Sequence, residues 1–445
     1  MAKSEYFSSL SLESDVYALR TAALSPIALV DDLEARFEKI EPVIYAYLPE
    51  ASRFKRLRRD ARLLEQRYPD VDARPPLFGA LLGVKDIFHI DGFATRAGTQ
   101  VPPEAFAGGE ADIVARLKQA GALIVGKTVT TEFAYFEPGP TRNPHNPAHT
   151  PGGSSSGSAA AIASGLAHIT IGTQTIGSVI RPAAYCGVVG YKPSFGRVAT
   201  SGLVDFSPSA DHVGFFTADV ASMQRVASAV IDDWQPTLDR PARPELALPL
   251  GPYLEQSSAL AAFDAQVNKL RQAGYSVQRI PMFDDIEEIN KRHQDLIAAD
   301  LAHQHRRLFE RYEPLYRPRT AALIRQGQAV SAQSLQAGRE GGRELRQRLH
   351  QLMDQEGIDF WICPSAPDVA PRGIEATGSP LMNLPWTHAG TPALSLPAGR
   401  GTLRLPLGLQ LVGRFGGDEQ LLAWARAIEP LFAESQSGNG DGIHP

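Results

Sequence analysis

Thr150-Pro151-Gly152-Gly153-Ser154-Ser155-Ser156-Gly157-Ser158-Ala159-Ala160 leads from a proline-marked loop into an alanine-rich run, and Gly172-Thr173-Gln174-Thr175-Ile176-Gly177-Ser178 closes the strand-like segment that follows. Three readings compete for the first block. A flexible linker is excluded by the helix and strand that follow at once. A phosphate cradle would need Gly-x-x-x-x-Gly-Lys-Ser or Gly-x-Gly-x-x-Gly after a strand, and neither is present. A tight turn with a serine helix cap is the plain reading. The second block shifts the balance. Gly172 and Gly177 let the backbone turn sharply and approach a ligand closely, so consecutive N–H groups can point at one oxygen. An oxyanion hole requires that arrangement.

Working outward, short apolar runs bounded by glycine and proline alternate with amphipathic helical patterns from Gly79 onward, which predicts an α/β fold with crossover units on a mixed, mostly parallel β-sheet. Strands are expected at Leu81 to Val84, Ala122 to Val125, His168 to Ile171, Leu246 to Leu248, Tyr275 to Ile280, Phe360 to Cys363, Ala393 to Leu396 and Leu407 to Val412. Upstream, Leu29, Leu33, Phe37 and Ile40 stand at helical spacing, with Pro42 expected to end the run. The basic run Arg53, Lys55, Arg56, Arg58, Arg59 reads as a solvated helix face rather than a nucleic-acid patch. Residues 285–356 read as charged helices with a break near Pro314 to Pro318. The whole of 1–435 is taken as one large domain, its proline-rich stretch from Pro236 to Pro249 a continuation rather than a boundary, and 436–445 as a disordered tail.

Composition narrows the function classes. The chain has 445 residues, 43% hydrophobic and 21% charged, with a formal net charge of -5. That charge disfavours a nucleic-acid partner held by bulk electrostatics. No run approaches the roughly 20 apolar residues of a membrane span, so no membrane is expected. The N-terminus lacks a secretory pattern, and two cysteines, Cys186 and Cys363, make no disulfide framework, which together predict a cytoplasmic protein. His145 and His149 stand four apart, but Pro144 and Pro147 oppose a helix there, so no metal site is expected.

Read in order, Gly152-Gly153-Ser154-Ser155-Ser156-Gly157-Ser158, Gly-Thr-x-x-x-Gly-Ser and Pro182-Ala183-Ala184-Tyr185-Cys186-Gly187 resemble the amidase signature family. Gly83-Val84-Lys85-Asp86 resembles that family's lysine strand. Gly126-Lys127-Thr128 with Glu132-Phe133-Ala134 and Pro406-Leu407-Gly408-Leu409-Gln410-Leu411-Val412-Gly413 resemble its later blocks. The likeness runs from about Ile27 to Phe432 and is weakest between Pro236 and Gly357. It divides the domain into N-terminal helices (27–78), a signature core (79–234), a variable insertion (235–357) and C-terminal strands with a helix (358–433), and it implies helices on both faces of the sheet.

The resemblance implies Ser178 as nucleophile, Ser154 as bridging serine 24 positions earlier, and Lys85 as base, with a cis peptide bond joining Gly153 to Ser154. A lysine serves as base only when neutral, and lowering its pKa from about 10.4 to about 7 takes about 4 kcal/mol of burial penalty. The run Leu81-Leu82-Gly83-Val84 offers a dry strand for this. Backbone N–H groups of Thr175, Ile176, Gly177 and Ser178 are the expected oxyanion donors. Phe133, Ala134 and Tyr135 are expected to flank the acyl group, with residues 300–330 and Met382 to Thr387 completing the walls. Asp86 is either a supporting partner or a turn acid.

The implied activity is hydrolysis of a carboxamide C–N bond through an acyl-enzyme, without a cofactor. A carbamate (urethane) or ester hydrolase, a glutaminase subunit of an amidotransferase, and an inactive binding protein are the alternatives; a homodimer is one reading of the oligomeric state. Two departures from the family pattern stand on either side of the turn. Gln174 and Ile176 replace an aspartate and a glycine before the nucleophile, and the arginine expected two positions after it comes third, as Arg181, with Ile180 in its place. A neutral arrangement is expected to replace a supporting charge pair, and Ile176 to narrow the acyl pocket.

Overall fold

The apolar run at Leu81 is strand β1 (Leu81–Lys85), and its side chains alternate between two cores in the computed structural model, which describes residues 4–106, 108–235 and 243–433. Leu82 and Val84 join the main core, while Leu81 joins a second core built on the helices Pro26–Ile44 and Arg53–Arg67. The neighbouring strand β2 (Leu123–Thr128) does the same, with Ile124 on one side and Leu123 and Val125 on the other. The two-residue period of a strand thus buries both faces of the sheet under helices.

Eight further strands complete a ten-stranded sheet: β3 (Ile169–Gln174), β4 (Val189–Lys192), β5 (His212–Thr217), β6 (Leu246–Leu250), β7 (Val277–Pro281), β8 (Phe360–Pro364), β9 (Ala393–Arg400) and β10 (Pro406–Val412). Their order is β2-β1-β3-β5-β4-β9-β10-β8-β6-β7. Pairing is parallel at the two ends, β2-β1-β3 and β8-β6-β7, and antiparallel through the centre from β3 to β8. The α/β class and the mixed sheet are as expected, but parallel pairs do not predominate. The helix Asp112–Gln119 is the crossover between the parallel neighbours β1 and β2, and Ser156–Ala163 leads from β2 past β1 to β3, whereas β9 turns straight back into β10 through residues 401–405. Residues 246–250 and 277–281, from the region weakest in likeness, extend this same sheet.

Several elements differ from expectation. The helix expected to stop at Pro42 runs to Ile44 and ends with Tyr45 in the left-handed region, because a proline one turn from the end removes a single ladder bond. The basic helix face is only partly solvated: Lys55 and Arg59 are exposed, but Arg53 is buried and Arg56 pairs with Glu50 at 2.6 Å while donating to the Ile124 carbonyl at 2.7 Å. The break near Pro314 falls between the helices Arg306–Tyr312 and Pro318–Gln328. The expected disordered tail and residues 236–242 of the proline-rich stretch lie outside the described residues. Among those described, no helix is long and apolar enough to cross a membrane.

Candidate active site

β1 delivers Lys85 into the interior, where it is fully buried. Its Nζ donates to Thr173 Oγ1 on β3 at 2.8 Å and lies 2.7 Å from Ser154 Oγ. Burial holds its pKa well below the ordinary lysine range, partly opposed by the Asp211 carboxylate. With the amine neutral, the Ser154 hydroxyl can donate to its lone pair across the same 2.7 Å.

Ser154 follows a cis peptide bond from Gly153, as the resemblance implies. The serines after it tie the helix Ser156–Ala163 to the sheet. Ser158 Oγ donates to the Ile171 carbonyl at 3.0 Å, and Thr170 Oγ1 donates to the Ser158 carbonyl at 2.9 Å. Gly157 admits no side chain, because the Ala46 carbonyl and the Val129 amide press against it. The serine–glycine block is therefore a packed joint between a helix and β3, not a linker.

Beyond β3 the chain turns through Thr175, Ile176, Gly177 and Ser178 into the helix Ile180–Cys186. Gln174 organises this turn. Its Oε1 accepts from the N–H groups of Val179 (2.8 Å) and Ile180 (2.9 Å), and its Nε2 donates to Thr387 Oγ1 at 2.9 Å. Thr387 in turn donates to the Ile176 carbonyl at 2.6 Å. His293 Nε2–H donates to the Thr175 carbonyl at 2.9 Å, and burial pushes the His293 pKa down to about 4, so the ring is neutral. Gly177 is pressed against Asn383 and Pro380, so a larger residue would displace the turn. Among the described residues, the N–H groups of Ile176, Gly177 and Ser178 form no hydrogen bond, and neither does the Ser178 hydroxyl. Ser178 is 8% exposed, at the edge of an otherwise buried turn.

The flanking residues are arranged differently from expectation. Phe133, with φ 45°, turns into an aromatic cluster, stacked on Tyr316 (5.1 Å) and edge-on to His305 (4.5 Å). Ala134 is also left-handed (φ 60°) and buried. Tyr135 and Phe136 are half-buried, their rings 4.8 Å apart, and Tyr135 faces Phe206 at 5.8 Å. The Ile176 side chain packs in the main core. Asp86 pairs with the buried Lys127 at 3.2 Å. His145 bonds the Cys186 carbonyl and His149 the Ala370 carbonyl, and no group of His, Cys, Asp or Glu side chains suited to a metal occurs among the described residues.

Two residues of this centre escape a reading of the sequence. Thr173 is polar on a fully buried strand, a placement that itself demands a partner. Asp211 is buried, accepts from Thr175 Oγ1 at 2.5 Å and from Ser207 N at 2.8 Å, and is pushed up to about 6 by burial. No spacing motif links it to Lys85.

Comparison with known proteins bears on the family and the fold. The family model described as Amidase matches residues 28–422. A glutamyl-tRNA(Gln) amidotransferase subunit from Synechococcus sp. (strain WH7803) is 30% identical, over 92% of this chain and 95% of its own length. A crystal structure of an amidase superposes with a TM-score of 0.85 at 29% identity, covering 95% of this chain and 100% of that one. A chain from a vestigial protein complex that bears on the origins of an s-triazine catabolic enzyme gives 0.83 at 26% identity, covering 94% and 98%. The chain belongs to the amidase family, whose members act on carbon–nitrogen bonds.

Proposed function

We propose that the protein is a serine hydrolase that cleaves the C–N bond of a carboxamide through an acyl-enzyme on Ser178. The observation that carries this reading is the fully buried Lys85, its amine driven toward neutrality and set 2.7 Å from Ser154 Oγ. The Lys85–Thr173 bond ties this base to the strand that ends in the Ser178 turn. Ser178 Oγ attacks the carbonyl carbon and passes its proton to Ser154 Oγ as Ser154 passes its own to Lys85 Nζ. The carbonyl oxygen becomes an oxyanion, stabilised by the unpaired N–H groups of Ile176, Gly177 and Ser178, with Thr175 the remaining candidate donor. Collapse breaks the C–N bond, and the proton returns from Lys85 through Ser154 to the departing amine. Water then attacks the acyl-enzyme by the same relay, releasing a carboxylic acid and restoring Ser178.

A panel of amides, anilides, carbamates and esters tests the reading. Turnover of at least one amide is expected, with kcat lowered about 10³- to 10⁶-fold in both Ser178→Ala and Lys85→Met. Either folded variant keeping near wild-type activity would overturn the assignment of that residue. Preference for carbamates or esters would keep the relay and change the bond. A second reading, a glutaminase subunit that feeds ammonia to a partner, is favoured by the curated relatives, which are amidotransferase subunits. It requires negligible activity in the isolated chain and co-purification with a second subunit.

A further inference from the structure

Arg181 stands three residues after Ser178, in the first turn of the helix Ile180–Cys186, and is 1% exposed. Its Nη2 donates to the Gly153 carbonyl at 2.6 Å and to Thr377 Oγ1 at 3.2 Å. Its Nε and Nη1 have no partner. A guanidinium carries five N–H donors. The two on Nη2 are used, which leaves three unmatched. Among the described residues no carboxylate pairs with Arg181, so the protein buries a full positive charge with no counter-ion. Burial lowers the guanidinium pKa only to about 10, so it stays charged at neutral pH.

An uncompensated buried cation is strongly unfavourable unless something supplies the missing charge. Bracing the Gly153 carbonyl does not explain it, since a neutral amide side chain could make that contact. The surroundings point to a ligand. Gly153 is bonded directly to Ser154, so Arg181 touches the backbone one residue from the proposed relay. Thr131, whose N–H donates to the Ser154 carbonyl at 3.2 Å, has a buried hydroxyl that also lacks a partner. Phe136, half-buried, lies over the guanidinium at 5.7 Å.

We infer that Arg181 is the docking group for a carboxylate carried by the substrate, with Thr131 and Thr377 as neutral hydrogen-bonding neighbours. The substrates are then short acidic amides, such as the half-amides of small dicarboxylic acids. This rests on the serine-hydrolase reading, because it places the carboxylate beside the bond that Ser178 attacks. The carboxylate supplies the charge that Arg181 lacks and fixes the amide in one orientation.

The test compares kcat/KM for malonamate, succinamate and glutaramate with that for neutral amides of matching length, in the wild type, Arg181→Met and Arg181→Lys. The wild type should favour one or more acidic amides by about 10- to 100-fold, the range expected for hydrogen bonds to a charged group. That ratio should collapse in Arg181→Met and persist in part in Arg181→Lys, which keeps the charge. Circular dichroism shows whether each variant is folded. Equal use of neutral and acidic amides by the wild type, or an unchanged ratio in folded Arg181→Met, would overturn the inference. If no amide is hydrolysed, the hydrolase reading fails separately. Calorimetric titration with malonate, succinate and glutarate then still reads the site: binding lost in Arg181→Met supports a carboxylate site, and no binding to the wild type rejects it.

Discussion

Lys85 is where burial, charge and chemistry meet. Its folded pKa lies well below the value near 10.4 of an unfolded lysine. Between the two, the unfolded chain binds a proton that the folded amine does not, so stability rises with pH through that window and levels off above about 10.4. Lys85→Met removes this dependence. The stability gap between wild type and variant, read from urea unfolding at several pH values, should shift in favour of the wild type on going from pH 7 to pH 10, by up to about 1.4 kcal/mol per pH unit. The wild-type rate should fall on the acid side of the depressed pKa, where the amine protonates. A flat gap would mean that the amine stays charged in the fold. At this scale the sequence points to Lys85 and Ser154, which the fold sets 2.7 Å apart, and to the turn that carries Ser178, because each sits in a short block with a fixed spacing. It hides Thr173 and Asp211, which reach Lys85 and the Ser178 turn only after strands from distant segments pair.

At the scale of the element, the turn from Gln174 to Ile180 decides how Ser178, the proposed nucleophile, is presented. The sequence shows that an acid and a glycine are missing there; the neutral Gln174 stands in the acid's place, but Arg181 keeps its charge, so the pair is not replaced by a wholly neutral arrangement. What it does not show is how Gln174 fills the role, accepting from two N–H groups and donating to Thr387. Thr387 lies 213 residues away in sequence. Gln174→Leu leaves those buried groups unpaired, which should cost about 2–5 kcal/mol in urea unfolding. It should also lower kcat more than it changes KM, since the turn carries the attacking oxygen and the oxyanion donors. An unaltered kcat would show that the turn holds its shape without Gln174. Phe133 reads as a pocket wall because it stands in a matching block. Its left-handed backbone aims the ring at Tyr316 and His305 instead, a direction that spacing does not encode.

The whole molecule is one mixed sheet, and toward its β2-β1-β3 end β1 sets Lys85 2.7 Å from Ser154 while the neighbouring β3 runs on into the Ser178 turn. Eight of the ten strand positions are legible as short apolar runs between glycines and prolines; β4 and β5 are not expected from the sequence, and both fall in the antiparallel centre. Direction is less so. The antiparallel centre depends on which strands become neighbours, and the buried strands look alike in either direction. On the proposed reading Lys85, Ser154 and Ser178 all belong to this one chain, so the purified protein should hydrolyse an amide without a second subunit; activity that emerges only on adding a partner would favour the glutaminase reading. The most direct test of the relay is peptide mass spectrometry after reaction with a serine-directed fluorophosphonate at neutral pH. The account predicts one adduct, on Ser178, which forms far more slowly in folded Lys85→Met. An adduct on another residue, or equally fast labelling without the lysine, would contradict it.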